Sequence, residues 1–337
     1  MSLPKLLPDN FTLALIGTLV LASLLPCRGQ AAAAVENLTT VAIALLFFLH
    51  GAKLSPQAVI AAASHWRLHA LVLLVTFVLF PLFGLAFKPL LLPLVTPTLY
   101  VGILFLCTLP STVQSSIAFT AIAKGNVPAA VCSASASSII GIFITPVVAN
   151  LVLSSHVRSG PAWRTIGAIV LQLFVPFVCG QILRPVIGRW IERNEGNVSM
   201  VDQGSILLIV YSAFSEAVDE GLWRQIPPSA LAGLLVADGI LLAAALITTG
   251  LVGKWLGFDR ADRVTIVFCG SKKSLSQGIT MAKVIFASHT VGAAVLPLML
   301  FHQIQLMVCA VLAQRWSRHG ESSPSLTSAG AKSLLPH

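Results

Sequence analysis

The sequence predicts an all-α polytopic membrane protein, with ten transmembrane helices arranged as two five-helix repeats of opposite orientation. Three observations predict it. Of 337 residues, 56% are hydrophobic and only 10% charged, at a mean hydropathy of +0.89, whereas a soluble domain carries about 25% charged residues. Apolar runs long enough to cross a bilayer recur ten times along the chain. The fourth and the ninth of them, five apart, are each broken in the middle by a polar stretch marked by Pro or Gly.

The runs cover residues 11–27, 36–52, 68–87, 97–124, 126–153, 163–188, 203–219, 229–252, 261–287 and 290–314. At about 1.5 Å per helical residue each crosses, or nearly crosses, ~30 Å of hydrocarbon. The first is short and ends near the small-residue run Ala31 to Ala34, a pattern that also fits a cleaved leader, and both readings stand at this point. Ser55 followed by Pro56 has the form of an N-cap and first helical position, so residues 53–66 are expected to form an interfacial helix. The expected divisions are 1–153 for the first repeat, 154–316 for the second, and 317–337 for a disordered cytoplasmic tail without periodicity.

With the N-terminus inside, thirteen Lys and Arg fall on the cytoplasmic side and six on the outer side, leaving Lys272 and Lys273 within a span. Cytoplasmic loops of membrane proteins are enriched in Lys and Arg, so the bias places both termini in the cytoplasm. It also accounts for the net charge of +9 without nucleic acid, since the basic residues flank apolar runs and form no patch with interleaved aromatics. The six cysteines are scattered, five of them well inside apolar runs, with no C-x-x-C pair, and read as small core residues.

In the fourth run Pro110 and the polar stretch Ser111 to Ser116 fall mid-span; in the ninth, Gly270 to Gly278 separates two half-helices of about 11 residues, each ~16 Å long. Proline removes a backbone donor, and unwound backbone in hydrocarbon is tolerated only where protein or a water-filled cavity satisfies it. Paired breaks in two halves of a membrane protein point to a transport site. Five spans is an odd number, so a repeated unit reinserts upside down. The stretches STVQSSIAFTAIAK from Ser111 and SKKSLSQGITMAK from Ser271 carry a visible likeness between the halves.

These features resemble the bile acid:sodium symporter family over about residues 8–316. The likeness is carried by the ten runs, the break at Pro110–Ser116, the K-G-N turn at Lys124–Asn126, the break after Cys269 with C-G-S-K-K-S-L-S-Q-G, and F-H-Q at Phe301–Gln303. The resemblance implies a panel domain and a core domain, with broken helices four and nine crossing in the core. It implies a secondary transporter of organic anions by alternating access, coupled to two sodium ions held by oxygen ligands, in a plasma membrane (the inner one in a bacterium). Ser115 and Ser116 match the family's Ser-Asn pair of sodium ligands. Ser133, Ser135, Ser137 and Ser138 offer hydroxyls in the fifth helix, with Ser271 nearby in the second break. His302 and Gln303 match the family's His-Asn pair.

Two departures stand out. A glutamine expected before Pro81 is Thr76, and the family's E-x-x-x-Q in helix nine aligns with Val267 to Ser271, so its carboxylate is missing. Two lysines stand beside it instead. A lysine at mid-span costs roughly 2.5–3.5 kcal/mol on insertion scales, so Lys272 and Lys273 need carbonyls, helix C-terminal ends or an anion, unless they lie shallower and snorkel to the interface. The expectation is that one of them puts its ammonium near the vacated sodium position, and the alternative to sodium symport is then weak coupling or transport that is sodium-independent or proton-linked. The expected substrate contacts are Gln114, Ser115, Ser116, Lys272, Lys273, Ser276, Gln277, His302 and Gln303, and the expected ion ligands are Ser115, Ser116, Ser133, Ser135 and Ser271.

Asp238 is a lone carboxylate in the eighth run, and Glu216, Asp219 and Glu220 close the seventh. No phosphate-binding G-x-x-x-x-G-K-[ST] and no G-x-S-x-G occurs, which argues against an ATP-driven pump or an intramembrane hydrolase. A non-transporting membrane regulator would keep the same fold. The expected partners are a small organic anion and the lipid bilayer; no cofactor other than sodium is implied, and nothing bears on oligomeric state.

Overall fold

A computed structural model describes residues 10–53, 65–153, 167, 170–219, 221–286 and 288–319. Among these residues every regular element is helical. The principal helices are α1 (Asn10–Leu24), α2 (Gln30–Lys53), α3 (Trp66–Ala86), α4 (Pro97–Thr108), α5 (Gln114–Ile122), α6 (Val127–Leu153), α7 (Leu171–Arg193), α8 (Glu195–Asp219), α9 (Pro228–Trp255), α10 (Arg260–Gly270), α11 (Leu275–Ile285) and α12 (Ser288–His319). One-turn helices at Lys88–Leu91 and Leu222–Gln225 sit in connections.

Among the described residues, seven helices are long and apolar enough to cross a membrane: α2, α3, α6, α7, α8, α9 and α12. Their outer faces carry bare Leu, Ile, Val and Trp, as at Val186 and Trp255, which suits lipid rather than water. The protein is an integral membrane protein. The fourth and ninth apolar runs are each two shorter helices, α4 with α5 and α10 with α11, so the expected interruptions are present. The expected interfacial helix at 53–66 falls almost wholly outside the described residues, as does the start of the sixth run. The last helix runs on to His319, past the boundary expected at 316, and the rest of the tail lies outside the described residues.

Local chemistry explains where the half-helices begin and end. Thr96 caps α4, its Oγ1 accepting the Leu99 N–H at 3.4 Å with Pro97 in the first turn; α4 then ends just ahead of Pro110, which has no N–H to continue it. Asp259 caps α10 by accepting from Asp262 N–H at 2.7 Å, and Ser274 caps α11 by accepting from Gln277 N–H at 3.4 Å. At the K-G-N turn Lys124 adopts φ 57°, and the Asn126 N–H donates to the Ala261 carbonyl at 3.1 Å. Asn126 Nδ2 donates to Asp262 Oδ1 at 2.8 Å. The end of the first broken pair is thereby tied to the start of the second.

Two packing groups result. Helices α1, α2, α7 and α8 lie against one another, α2 with α7 most closely. At Gly51 and Gly180 that contact is backbone to backbone: a Cβ on Gly180 would overlap the Phe48 carbonyl oxygen, and one on Gly51 the Phe177 carbonyl oxygen. The other group contains α3 to α6 and α9 to α12, with α4 against α12, α9 against α10, and α5 against α10. Contact between α8 and α12 joins the two. Four of the six cysteines are buried, as the apolar runs predict, while Cys179 on α7 faces outward.

Candidate functional site: two crossed helix breaks and a polar cavity

Each break is hydrogen-bonded to the other. The Ser274 N–H donates to the Pro110 carbonyl at 2.8 Å. From the first break, Ser111 Oγ donates to the Cys269 carbonyl at 2.6 Å and Ser116 Oγ to the Phe268 carbonyl at 3.0 Å. Those are the last carbonyls of α10, which have no partner within their own helix. Ser271 Oγ donates to the Val267 carbonyl at 2.6 Å and completes that end.

The last carbonyls of α4 take a cation instead. Lys273 Nζ donates to the carbonyls of Leu109 at 2.7 Å, Cys107 at 2.9 Å and Thr76 at 2.8 Å, with its ammonium 4.1 Å from the centre of the Phe80 ring. Three donors meet three acceptors. Thr145 Oγ1 donates to the remaining carbonyl of that turn, Thr108, at 3.0 Å.

Thr76 is available because of its helix. Residues Val75–Leu79 form a π turn in which the Phe80 N–H reaches the Val75 carbonyl. The partner due to Thr76 in that register is the nitrogen of Pro81, which has no hydrogen.

Lys272 is equally enclosed. Its Nζ donates to the Ser115 carbonyl at 2.8 Å and sits 3.9 Å from the Phe119 ring centre and 5.5 Å from that of Phe268. Both lysines have no exposed surface, so neither side chain extends outward along the helix to snorkel. Gln305 on α12 holds the second break from behind: its Oε1 accepts the Lys273 N–H at 2.9 Å and its Nε2 donates to the Lys273 carbonyl at 3.0 Å.

On the far side of this knot lies a cavity of about 550 Å³. The first turns of α5 and α11 open into it through Gln114, Ser115, Ser276 and Gln277, with Ser135 of α6 and His302 of α12 alongside. Those helix starts carry the positive end of the helix dipole. Gln277 also donates to the Ser138 hydroxyl.

Of the residues expected to touch substrate, then, Gln114, Ser115, Ser276, Gln277 and His302 line the cavity, while Ser116, Lys272, Lys273 and Gln303 do not. The five expected ion ligands have the following partners. Ser116 and Ser271 donate to carbonyls, Ser133 Oγ lies 2.6 Å from His69 Nδ1, Ser115 Oγ lies 2.6 Å from Thr112 Oγ1, and Ser135 faces the cavity. Asp238 is fully buried on α9, away from the cavity, with neither carboxylate oxygen hydrogen-bonded. Asp219 is half-exposed and pairs with Arg28 at 2.5 Å.

Sequence reasoning did not single out His50, Lys53 and Asp202, which also line the cavity. The signal was present as a His-x-x-Lys spacing on the last turn of α2, which puts both on one helix face.

The sequence model of the SBF-like CPA transporter family matches residues 9–318. The chain belongs to the SBF-like CPA transporter family. Its relatives include an uncharacterized protein of Pseudomonas aeruginosa, 62% identical over 96% of this chain and 97% of that one. A protein of Escherichia coli K12 named "Putative symporter YfeH" is 53% identical over 93% and 94%, and sodium/bile acid cotransporter 7 of Rattus norvegicus is 30% identical over 81% of each chain. Membership in the SBF-like CPA transporter family, with these names, points to transport of a small solute rather than to an enzyme.

Proposed function

We propose that this member of the SBF-like CPA transporter family is a secondary transporter of organic anions working by alternating access, in which buried ammonium groups stand where sodium would otherwise bind. The observation that carries the reading is the position of Lys273 Nζ, 2.7–2.9 Å from three carbonyl oxygens at the end of α4 and the π turn of α3. A half-helix end of negative polarity that would need a bound cation is neutralised by the chain itself. The opposite polarity, at the starts of α5 and α11, is left facing the cavity. An anion can therefore be held without a co-bound metal ion, and transport is sodium-independent or proton-linked.

The ammonium of Lys272 acts on the cavity through Ser115, whose carbonyl it holds and whose side chain lines the wall. Charge felt across such a short, dry path is weakly screened. The paired breaks five runs apart support two inverted five-helix repeats, 1–153 and 154–316, with α1, α2, α7 and α8 as the panel, the other helices as the core, and both termini cytoplasmic. Ser115, Ser116, Ser133, Ser135 and Ser271 remain the ligands a sodium-coupled version of the mechanism would use.

Thermal unfolding of the purified protein in detergent, with sodium exchanged for choline at constant ionic strength, separates the versions. A specific ion that binds only the folded state stabilises by RT ln(1 + [L]/Kd). No saturable sodium shift is expected, together with uptake of an impermeant organic anion by proteoliposomes. A saturable sodium shift overturns the fixed-cation reading in favour of sodium symport, and absence of anion flux under any ion gradient overturns the transporter reading.

A further inference from the structure

Helix α8 meets the second packing group differently along its two halves. Ser199, Asp202, Gln203 and Ile206, in the first half, line the cavity. Ser212, Ala213 and Ala217, in the second half, lie directly against α11 and α12. Helix α12 shows the same division in reverse order: Gly292 near its start touches α8, while His302 and Leu306 further along line the cavity. Asp202 and Ala217 are fifteen residues apart, about 22 Å along the axis. The two helices therefore run antiparallel, in contact at one end and with the cavity of about 550 Å³ between them at the other.

The closed end is built from small residues and one cation. A Cβ on Gly292 would overlap that of Ala217 and lie 3.4 Å from the Ala213 carbonyl oxygen, so a larger residue there has to push α8 and α12 apart. Beside this seam Lys283, on the last turn of α11, donates from Nζ to Ser212 Oγ at 2.6 Å. The carboxylates whose charge it feels are Glu216, four residues on along the same face of α8, and Glu36 of α2. Ser212, Glu216 and Glu36 all belong to the first packing group, so these contacts of the ammonium cross from one group to the other. The same half-helix of 11 residues starts at the cavity with Ser276 and Gln277. Cavity wall and cation thus ride on one rigid element, with Gln277 and Lys283 about 9 Å apart along its axis.

We propose that the second half of α8 and the starting turns of α12 form a gate, closed in this structure, and that Lys283 is its latch. The inference rests on the alternating-access reading above and adds the residues that control one entrance to the cavity. In the alternate arrangement Gly292 parts from Ala217 and Lys283 from Ser212, and the cavity meets the other side of the membrane. A solute seated against Ser276 and Gln277 bears on the latch through the half-helix that carries all three. A polar latch suits a gate that must reopen: once parted, the ammonium and the carboxylates are solvated by water, so the closed state is favoured only modestly.

The test is sided labelling of the full chain in membrane vesicles of each orientation, with an impermeant maleimide added outside. Ser135→Cys serves as the cavity reporter, and Cys27 and Cys179 are replaced by Ser. With the latch intact, the reporter should react from the Lys53 end and much more slowly from the Lys283 end. Lys283→Met should speed reaction from the Lys283 end about tenfold, the worth of one hydrogen bond to a charged group, with no rise from the Lys53 end. Lys283→Arg should restore the original rates. Gly292→Val, which wedges α8 from α12, should open the same end with Lys283 in place. Unchanged labelling in Lys283→Met while Gly292→Val opens that end overturns the latch, and so does a rise from both ends, the mark of a loosened fold. Equal labelling from both ends before any gate substitution, or no opening by Gly292→Val, overturns the gate itself. The assay needs no transported solute, so absence of anion flux alongside the expected labelling counts against the proposed substrate and leaves the gate standing.

Discussion

If the Lys273 ammonium stands in for sodium, replacing Lys273 by Ala should make the stability of the protein depend on sodium. The substitution removes three charge-assisted hydrogen bonds of 2.7–2.9 Å and an ammonium placed over Phe80. Bonds to a charged group contribute about 1.5–3 kcal/mol each, and each buried acceptor left bare costs about 1–3 kcal/mol. Against this, a buried ammonium no longer has to be stripped of water, a relief of several kcal/mol. Counting each lost interaction once, at about 4.5–9 kcal/mol in all, against a relief of several kcal/mol leaves a net loss of a few kcal/mol, about 3 at the low end. The three carbonyls then form an oxygen cluster open to a small cation. A cation present at a hundredfold excess over its Kd restores about 2.7 kcal/mol, nearly the whole loss. The assay is the unfolding midpoint at one fixed scan rate, with choline exchanged for sodium. The expected pattern is a midpoint several degrees below the unaltered protein in choline, recovering saturably with sodium. Lys273→Met fills the space with an apolar chain and should be destabilised without recovery. If Lys273→Ala proves as insensitive to sodium as its parent, or if the parent itself responds, the ammonium is not standing in for a cation.

Other substitutions test the surrounding structure. Lys272→Met loses one carbonyl bond and two aromatic contacts, so it should destabilise less than Lys273→Met while weakening anion binding in the midpoint titration; unchanged affinity in both lysine variants would remove the fixed-cation mechanism. Gln305→Leu leaves the buried N–H and C=O of Lys273 without their side-chain partner and should cost about 2 kcal/mol or more, read as a lower midpoint with unaltered sodium indifference. Gly180→Ala drives a methyl into the Phe48 carbonyl; overpacking costs about 1–3 kcal/mol, and hydrogen exchange should rise along α2 and α7 rather than around the crossed breaks.

What the sequence reveals of this protein follows a physical division. The breaks are legible because Pro110, and the polar run from Gly270, interrupt apolar periods that nothing else interrupts. The cavity wall at Gln114, Ser115, Ser276, Gln277 and His302 is legible because those side chains stand beside the breaks. Long-range pairing is not: nothing local tells that Ser116 serves the Phe268 carbonyl, 152 residues away, or that Lys273 reaches back 197 residues to Thr76. Such bonds depend on how two helices cross, and side-chain chemistry is compatible with many crossings. For the same reason Lys272 and Lys273 read as substrate contacts, since a buried cation in a chain read as an anion transporter invites that role, whereas the structure directs both Nζ atoms to backbone oxygen. Asp202 escaped notice because it stands one residue ahead of the apolar run 203–219, where a charge reads as flanking the span.

The Thr76 carbonyl holds its lysine because one amide proton is missing from the chain. Restoring that proton with Pro81→Ala would offer the carbonyl a neighbour in its own helix, and the ammonium of Lys273 would then compete with it. No polar group is removed by the exchange and no charge altered, yet one of three moorings of a buried cation is weakened. Position 81 would never be chosen as a ligand in a search for oxygen, nitrogen or sulfur donors. A binding site in a membrane helix can thus be specified by withholding an atom, and a scan confined to polar side chains would pass over the residue responsible.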